Sequence, residues 1–261
     1  MIENKVLDNL EDIKWIIVSF CNDVISYKLL TNIEDKLVVY SLSDKQTNKE
    51  EFESLEVRIK DLNPNYEYLI TNDKICIGLP EYLKIFEEFD KYNIKNYTFN
   101  DDASIDVDGD VNLYDKGLTI LPFKFRNVSG FFNCNDNKLT SLVGCPETVL
   151  GNFNCDNNKL LSLDGCPKTV GGNFGCSYNN LTSLIGGPKT VLGNFGCNDN
   201  KLKSLEGSPE TVLGDINCNH NELTSLEGSP KTVGGNFSCY HNNLTSLIGI
   251  GEVGGNIMSD L

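Results

Sequence analysis

The sequence predicts an α/β (α+β) chain: a small N-terminal α/β domain over residues 1–98, then a solenoid over residues 99–261 built on a parallel β-sheet with a largely helix-free convex side. Three observations predict it. A phrase beginning Phe-x-Cys-x-x-Asn-x-Leu-x-x-Leu returns every 21 residues between Phe132 and Leu247. Its columns keep strict register, as in Cys134, Cys155, Cys176, Cys197, Cys218 and Cys239, or Asn137, Asn158, Asn179, Asn200, Asn221 and Asn242. The first hundred residues show no such period and mix helix-like with strand-like patterns. A short fixed period means stacking, because one such unit cannot bury its apolar side alone.

The N-terminal elements follow in order. From Glu3 to about Phe20, Val6, Leu7, Leu10, Ile13, Ile16 and Ile17 recur at helical intervals, which predicts an amphipathic helix. The β-prone run Trp15 to Val18 leaves a switch to strand open. Lys36 to Leu42 reads as a strand, and Asp44 to Glu51 as a solvated loop or helix entry. Tyr66 to Ile70 and Lys74 to Ile77 form a hairpin around Thr71-Asn72-Asp73. Pro80 suits a first helical position, with Tyr82, Leu83, Phe86 and Phe89 as one apolar stripe running to Tyr92.

After a turn-like bridge at Asn100 to Ala103, Ile105 to Leu113 alternates apolar residues with Asp106, Asp108, Asp110 and Asn112, which predicts one strand with an oxygen-rich face. A calcium site is weighed there and disfavoured. Gly109 comes too early for an EF-hand loop, and Gly117 stands where a bidentate Glu is needed. Val111, Leu113, Leu118, Leu121 and Val128 lie 21 residues before their counterparts, so this stretch is a degenerate first turn, bringing the solenoid to about seven turns.

Within each repeat Phe and Cys are expected to face the core from a short strand, with the intervening residue outward. The Asn column is expected to bond backbone groups of its own and the adjacent turn. The two Leu columns and the Val column fill the interior, and Gly165-Cys166-Pro167 and Gly171-Gly172 turn the chain. The six repeating cysteines of the ten in the chain then read as core filler, which implies free thiols in a reducing, cytoplasmic compartment. No signal peptide opens the sequence, and its longest apolar run is too short to span a bilayer.

The net charge of −15 argues against direct nucleic-acid binding and against anionic membranes, and favours a protein partner. Residues from Asp110 onward hold 14 acidic and 10 basic side chains, which leaves the first 109 residues at −11. No phosphate-binding loop or activated nucleophile is recognisable, and no His precedes His220, so no catalytic residue, cofactor or metal is expected.

The phrase resembles the leucine-rich repeat, with Phe and Cys at two of its Leu positions. Asn-Lys-Leu-Thr-Ser-Leu-x-Gly-Cys-Pro, preceded by Ile-Asp-Val-Asp-Gly-Asp-Val-Asn-Leu, is similar to short-period leucine-rich repeat proteins of large tailed bacteriophages and low-GC bacteria, over about residues 97–261. The resemblance implies a recognition scaffold that binds a protein on its concave face. In a phage setting that partner is a host defence or regulatory protein in the host cytoplasm. Three alternatives stand beside it: an effector whose N-terminal domain carries an activity, an acidic nucleic-acid mimic, and a structural virion component.

The candidate contact residues on the concave face and rim are Asn154, Asp156, Tyr178, Asn194, Asp199, Asp215, Asn217, His220, Tyr240 and His241. Tyr178, His220, Tyr240 and His241 lead, because variation against a constant scaffold is where specificity tends to sit. Zinc held by His220 and His241 with Cys218 and Cys239 is disfavoured, since the thiols should face the core and the imidazoles the rim. The last repeat loses one residue and its Pro near Ile248 to Gly251, and its edge strand is a candidate homodimer contact.

Overall fold

The structure is a computed structural model of the chain that describes the backbone of residues 13–21, 24–33, 36–44, 67–71 and 74–78, and the backbone and side chains of residues 88–261 except 101 and 103. The chain divides into two compact units, Met1–Asn93 with Phe99–Ser104, and Ile94–Thr98 with Ile105–Leu261.

In the first unit the strands β1 (Ile13–Cys21), β2 (Val24–Ile33), β3 (Lys36–Asp44), β4 (Glu67–Thr71) and β5 (Lys74–Gly78) form a five-stranded sheet of order β3-β2-β1-β5-β4. Every pairing in it is antiparallel. The helix expected from Glu3 to Phe20 is corrected over its second half, where β1 is a strand. That strand is central and paired on both edges, and a central strand favours an unbroken β-branched and aromatic run such as Trp15-Ile16-Ile17-Val18. The first half of the expected helix lies outside the described residues, as does the expected loop over residues 45–51. β2 was not anticipated. β3 and the β4–β5 hairpin fall where expected, with Thr71 paired to Lys74. Residues 88–91 are helical, with Phe89 and Tyr92 buried, whereas the beginning of that helix at Pro80 lies outside the described residues. Phe89 packs edge-on against Phe99, ring centroids 5.8 Å apart.

The second unit is a parallel β-solenoid with two sheets. One has eight strands: β8 (Val111–Asn112), β10 (Phe132–Asn133), β12 (Phe153–Asn154), β14 (Phe174–Gly175), β16 (Phe195–Gly196), β18 (Ile216–Asn217), β20 (Phe237–Ser238) and β22 (Ile257–Met258). The other has nine: β6 (Tyr97–Phe99), β7 (Ile105–Val107), β9 (Phe125–Val128), β11 (Thr148–Val149), β13 (Thr169–Val170), β15 (Thr190–Val191), β17 (Thr211–Val212), β19 (Thr232–Val233) and β21 (Glu252–Val253). Like columns pair in register, as Phe153 with Phe174 and Val170 with Val191. The missing residue of the last repeat is absorbed before β21, where Thr232 pairs with Glu252, and register continues with Phe237 on Ile257.

One expectation holds and one is corrected here. The side opposite the Phe-x-Cys strands is helix-free as expected, and its extended segments pair into a second parallel sheet of Thr-Val pairs that was not anticipated. The single strand Ile105 to Leu113 is two strands in different sheets, β7 and β8, parted at Gly109 with φ of 138°. Each turn thus crosses from one sheet to the other at a corner, and Asp106 and Asn112 belong to different faces of the coil.

The core is the stack of repeating columns. Cys134, Leu139, Leu142, Val149 and their counterparts through Val212 are fully buried. Phe132, Phe153, Phe174 and Phe195 lie ring over ring at 5.8, 5.2 and 5.5 Å. Each aromatic contact contributes about 0.5–1.5 kcal/mol beyond burial of its area. The eight cysteines whose side chains are described are free and buried.

The Asn column does what its position required. Asn158 Nδ2 donates to Cys134 O at 3.0 Å, Cys155 O at 3.1 Å and Asp156 O at 3.1 Å, while its Oδ1 accepts the Leu139 N–H at 2.9 Å. Asn137, Asn179, Asn200, Asn221 and Asn242 repeat the pattern. One amide therefore satisfies the bend of its own turn and ties two turns together.

Candidate binding surface

The outward face of the eight-stranded sheet is lined by the residue after each Phe, by the residue after each Cys, and by a rim one residue further on. Rim residues adopt the left-handed conformation in every turn: Asp115 (φ 48°), Asp136 (55°), Asn157 (50°), Tyr178 (53°), Asp199 (54°), His220 (53°) and His241 (55°). The bend that lets the next residue, the ladder Asn, point inward requires this. Asp and Asn tolerate it and His is enriched there, whereas a bulky Tyr adopts it at a cost. Tyr178, His220 and His241 are thus the three positions where this rim displays a ring, and Tyr178 is the one where the framework gives up stability to do so.

The structure brings part of the expected set together. His220 and His241 stack, ring centroids 4.4 Å apart at 28°, and the Tyr240 ring lies 6.4 Å from His241. Tyr178, 57% exposed, stands two turns away on the same rim, with Asp199 between. Asp199 accepts a bond from Asn198 Nδ2 at 2.7 Å. Asn154 and Asn217 sit on the sheet face half-buried, their Oδ1 atoms holding the backbone N–H of Asp156 at 2.8 Å and of Asn219 at 3.1 Å. No Lys or Arg occupies these outward columns or the rim.

Asn194 and Asp215 have a different task. They belong to a second, exposed ladder at the corner, in which each side-chain Oδ1 accepts the backbone N–H one turn on: Asn152 from Asn173, Asn173 from Asn194 and Asn194 from Asp215, each at 2.8 Å, and Asp215 from Asn236 at 2.6 Å. Asp110 makes the same bond with the Phe131 N–H at 2.9 Å, but Phe131 has no side-chain oxygen and the continuous ladder begins at Asn152. The preceding glycine makes room for it, since a methyl group on Gly193 would collide with Asn173 Oδ1. Sequence reasoning missed this ladder, although its signal was visible as a column that follows Gly and holds Asn or Asp everywhere but at Phe131.

Asp156 is the exceptional acid of the face. It fills a column held elsewhere by Asn135, Ser177, Asn198, Asn219 and Tyr240, and lies against Gly175. Burial pushes its carboxyl up to about 6, against the opposing hydrogen bond from the Ser177 N–H at 2.6 Å, and nearby Asp136 adds to the rise. A folded-state pKa above the unfolded value favours the protonated form, so this stabilising contribution is complete below about pH 3.8 and is lost as pH rises through 6. Asp156→Asn should therefore raise stability at pH 7 by about 1–2 kcal/mol and leave it nearly unchanged at pH 4. Urea unfolding at the two pH values tests this, and an equal effect at both would contradict the burial account.

The four oxygen-bearing residues near the first turn do not converge. Asp106 pairs with Arg126 at 2.6 Å and accepts from Asn127 Nδ2 at 2.8 Å, Asp108 accepts from Ser129 Oγ at 2.8 Å, and Asp110 is in the corner ladder. Asp106 and Asp108 line a shallow cavity of about 360 Å³ on the nine-stranded sheet, with Asn96, Thr98 and Leu150. Among the described residues, no three His, Cys, Asp or Glu side chains are grouped to hold a metal ion, and no helix is long and apolar enough to cross a membrane. The chain matches no protein family, no curated protein and no solved structure.

Proposed function

We propose that the chain is a non-catalytic recognition scaffold whose solenoid docks a protein partner through the rim and the outward face of the eight-stranded sheet, residues 1–98 acting as a cap or docking module. The observation that carries this reading is the rim itself. A left-handed position that Asp or Asn fills in four of seven turns instead holds Tyr178, His220 and His241, each exposed. Strain kept at the exposed Tyr178, beside exposed rings at His220 and His241, points to use rather than to folding. The absence of basic side chains from the same face suits a neutral or basic partner surface.

The reading takes the solenoid as akin to the short-period leucine-rich repeats of tailed phages and low-GC bacteria, with the buried Asn ladder and the Phe-x-Cys-x-x-Asn-x-Leu phrase in support. In that setting the partner is a host defence or regulatory protein met in the host cytoplasm. The test is affinity capture from lysate of the native cell, with the wild-type chain and with a Tyr178→Asn, His220→Asn, Tyr240→Asn, His241→Asn variant. Asn occurs naturally in both columns, at Asn157 and Asn198, so the variant should melt at or above the wild-type temperature while losing its partner. Recovery of no partner, or equal recovery by both chains, would overturn the proposal.

A further inference from the structure

We propose that the rim gap between Tyr178 and His220, with Asp199 on the turn between them, is a subsite for an arginine side chain of the protein partner. The proposal deepens the recognition reading and rests on it. Tyr178, Asp199 and His220 occupy one column on three successive turns, with φ of 53°, 54° and 53°, so their side chains leave the coil in the same direction. Backbone bonds tie the three rungs together, from the Tyr178 N–H to Asn198 O and from the Asp199 N–H to Asn219 O, both 3.0 Å. The outer two rungs are therefore about 9–10 Å apart. A cation seated over the middle rung lies about 5 Å from each, inside the ~6 Å over which an aromatic face attracts it.

The middle rung supplies the charge. Asn198 Nδ2 donates to Asp199 Oδ2 at 2.7 Å, and no other side chain among the described residues bonds this carboxylate, which leaves Oδ1 open. Asp136 in the same column shows the contrast, because Asn157 Nδ2 reaches back from the next turn to its carboxylate. On the turn after Asp199 that place holds the His220 ring instead, backed by His241 stacked on it at 4.4 Å. Among the described residues no Lys or Arg forms an ion pair with Asp199, Lys201 two positions on included. Both flanking rings are exposed, Tyr178 by 57%. Beside the gap the residue after each Phe is Gly175 or Gly196, where the same column elsewhere holds Asn133, Asn154, Asn217 and Ser238, so a partner backbone can approach closely at these turns. Arginine suits the gap better than lysine, because its planar fork takes a carboxylate and its faces stack on rings.

The experiment adds acetyl-arginine methylamide to the purified full chain, prepared without a polyhistidine tag, and follows the imidazole C–H signals by proton NMR. His220 and His241 are the only histidines of the chain, so His241→Asn assigns the two sets of signals. A saturating shift of the His220 signals is expected, with a dissociation constant on the order of 1–10 mM. Asp199→Asn should weaken the binding at least about tenfold and Tyr178→Asn about fivefold, while Asp136→Asn should leave it unchanged. Asn already fills this left-handed column at Asn157, so the variants keep the backbone. Absence of saturation, an equal response to the uncharged citrulline analogue or to the lysine analogue, or an undiminished response in Asp199→Asn would overturn the subsite. The titration needs no partner, so its failure is distinct from failure of the recognition reading. Partner capture that is lost in the four-residue variant, with no arginine response, would remove the subsite and keep the scaffold.

Discussion

Asn179→Leu should lower the stability of the chain by about 2–4 kcal/mol, while its neighbour Asn180→Lys should change it by no more than about 0.5 kcal/mol. Both substitutions replace the same residue type, and Leu matches the apolar character of the interior. The difference lies in the backbone. Asn179 Nδ2 donates to Cys155 O at 3.1 Å, Cys176 O at 3.2 Å and Ser177 O at 3.0 Å, and its Oδ1 accepts the Leu160 N–H at 3.0 Å. Leucine would remove all four bonds; Cys155 O, Cys176 O and Ser177 O keep Asn158 Nδ2, Asn200 Nδ2 and the Asn157 N–H as donors, whereas the buried Leu160 N–H is left without an acceptor, at about 1–3 kcal/mol. Two of the four belong to the preceding turn, so the defect also weakens an interface, and a solenoid depends on its nearest-neighbour interfaces. Asn180 is half-buried at the turn, and what the fold takes from it is the backbone bond of its N–H to Leu160 O at 2.9 Å, which Lys keeps. Thermal and urea unfolding followed by circular dichroism read the contrast. Equal losses at the two sites would mean that the ladder is not what couples the turns.

The second large effect is alkaline unfolding. Burial raises the thiols of Cys145, Cys155, Cys176, Cys197 and Cys218 well above their ordinary value of 9.0, and Cys166 to about 12. Each of these six acids is held neutral in the fold, so the unfolded chain loses its protons first. The contribution to stability is complete below about pH 9 and falls as pH rises above it, by about 1.4 kcal/mol per pH unit for each thiol. Six together remove about 8 kcal/mol by pH 10, comparable to the whole stability of an ordinary domain. The solenoid should therefore unfold cooperatively between about pH 9 and 10.5. The slope of unfolding free energy against pH counts the protons directly. Cys176→Ala with Cys197→Ala should flatten it by about two protons, whatever the cavities do to absolute stability. A slope unaffected by the double substitution would assign alkaline lability to other groups.

These two predictions rest on columns that were legible in the sequence, and the reason is repetition. A residue type that recurs every 21 positions shows which environment recurs. Phe153, Cys155, Leu160 and Leu163 could thus be placed in the core, and Asn158 at a bend, from the sequence alone. The β4–β5 hairpin was legible for a local reason, since Asn72-Asp73 suits a tight turn between two apolar runs. The candidate site was legible in part. Its variable column could be seen, and with it Tyr178, His220 and His241, but Asn194 and Asp215 looked equally free and proved to be rungs of the corner ladder.

What the amino-acid sequence alone determined is the period, the inward columns and the thiol chemistry of the core, because burial imposes a pattern that repeats along the chain. Three things waited for the tertiary structure. Thr-Val pairs are two residues long, too short to show alternation, so the second sheet exists only through pairing between turns. β1 carries a spacing compatible with helix and with strand, and its two flanking strands decide between them. The left-handed rim leaves no mark in residue type at Tyr178, His220 or His241. It is imposed by the demand that the next side chain, the ladder Asn, point into the coil, and that demand arises only when one turn is stacked upon another.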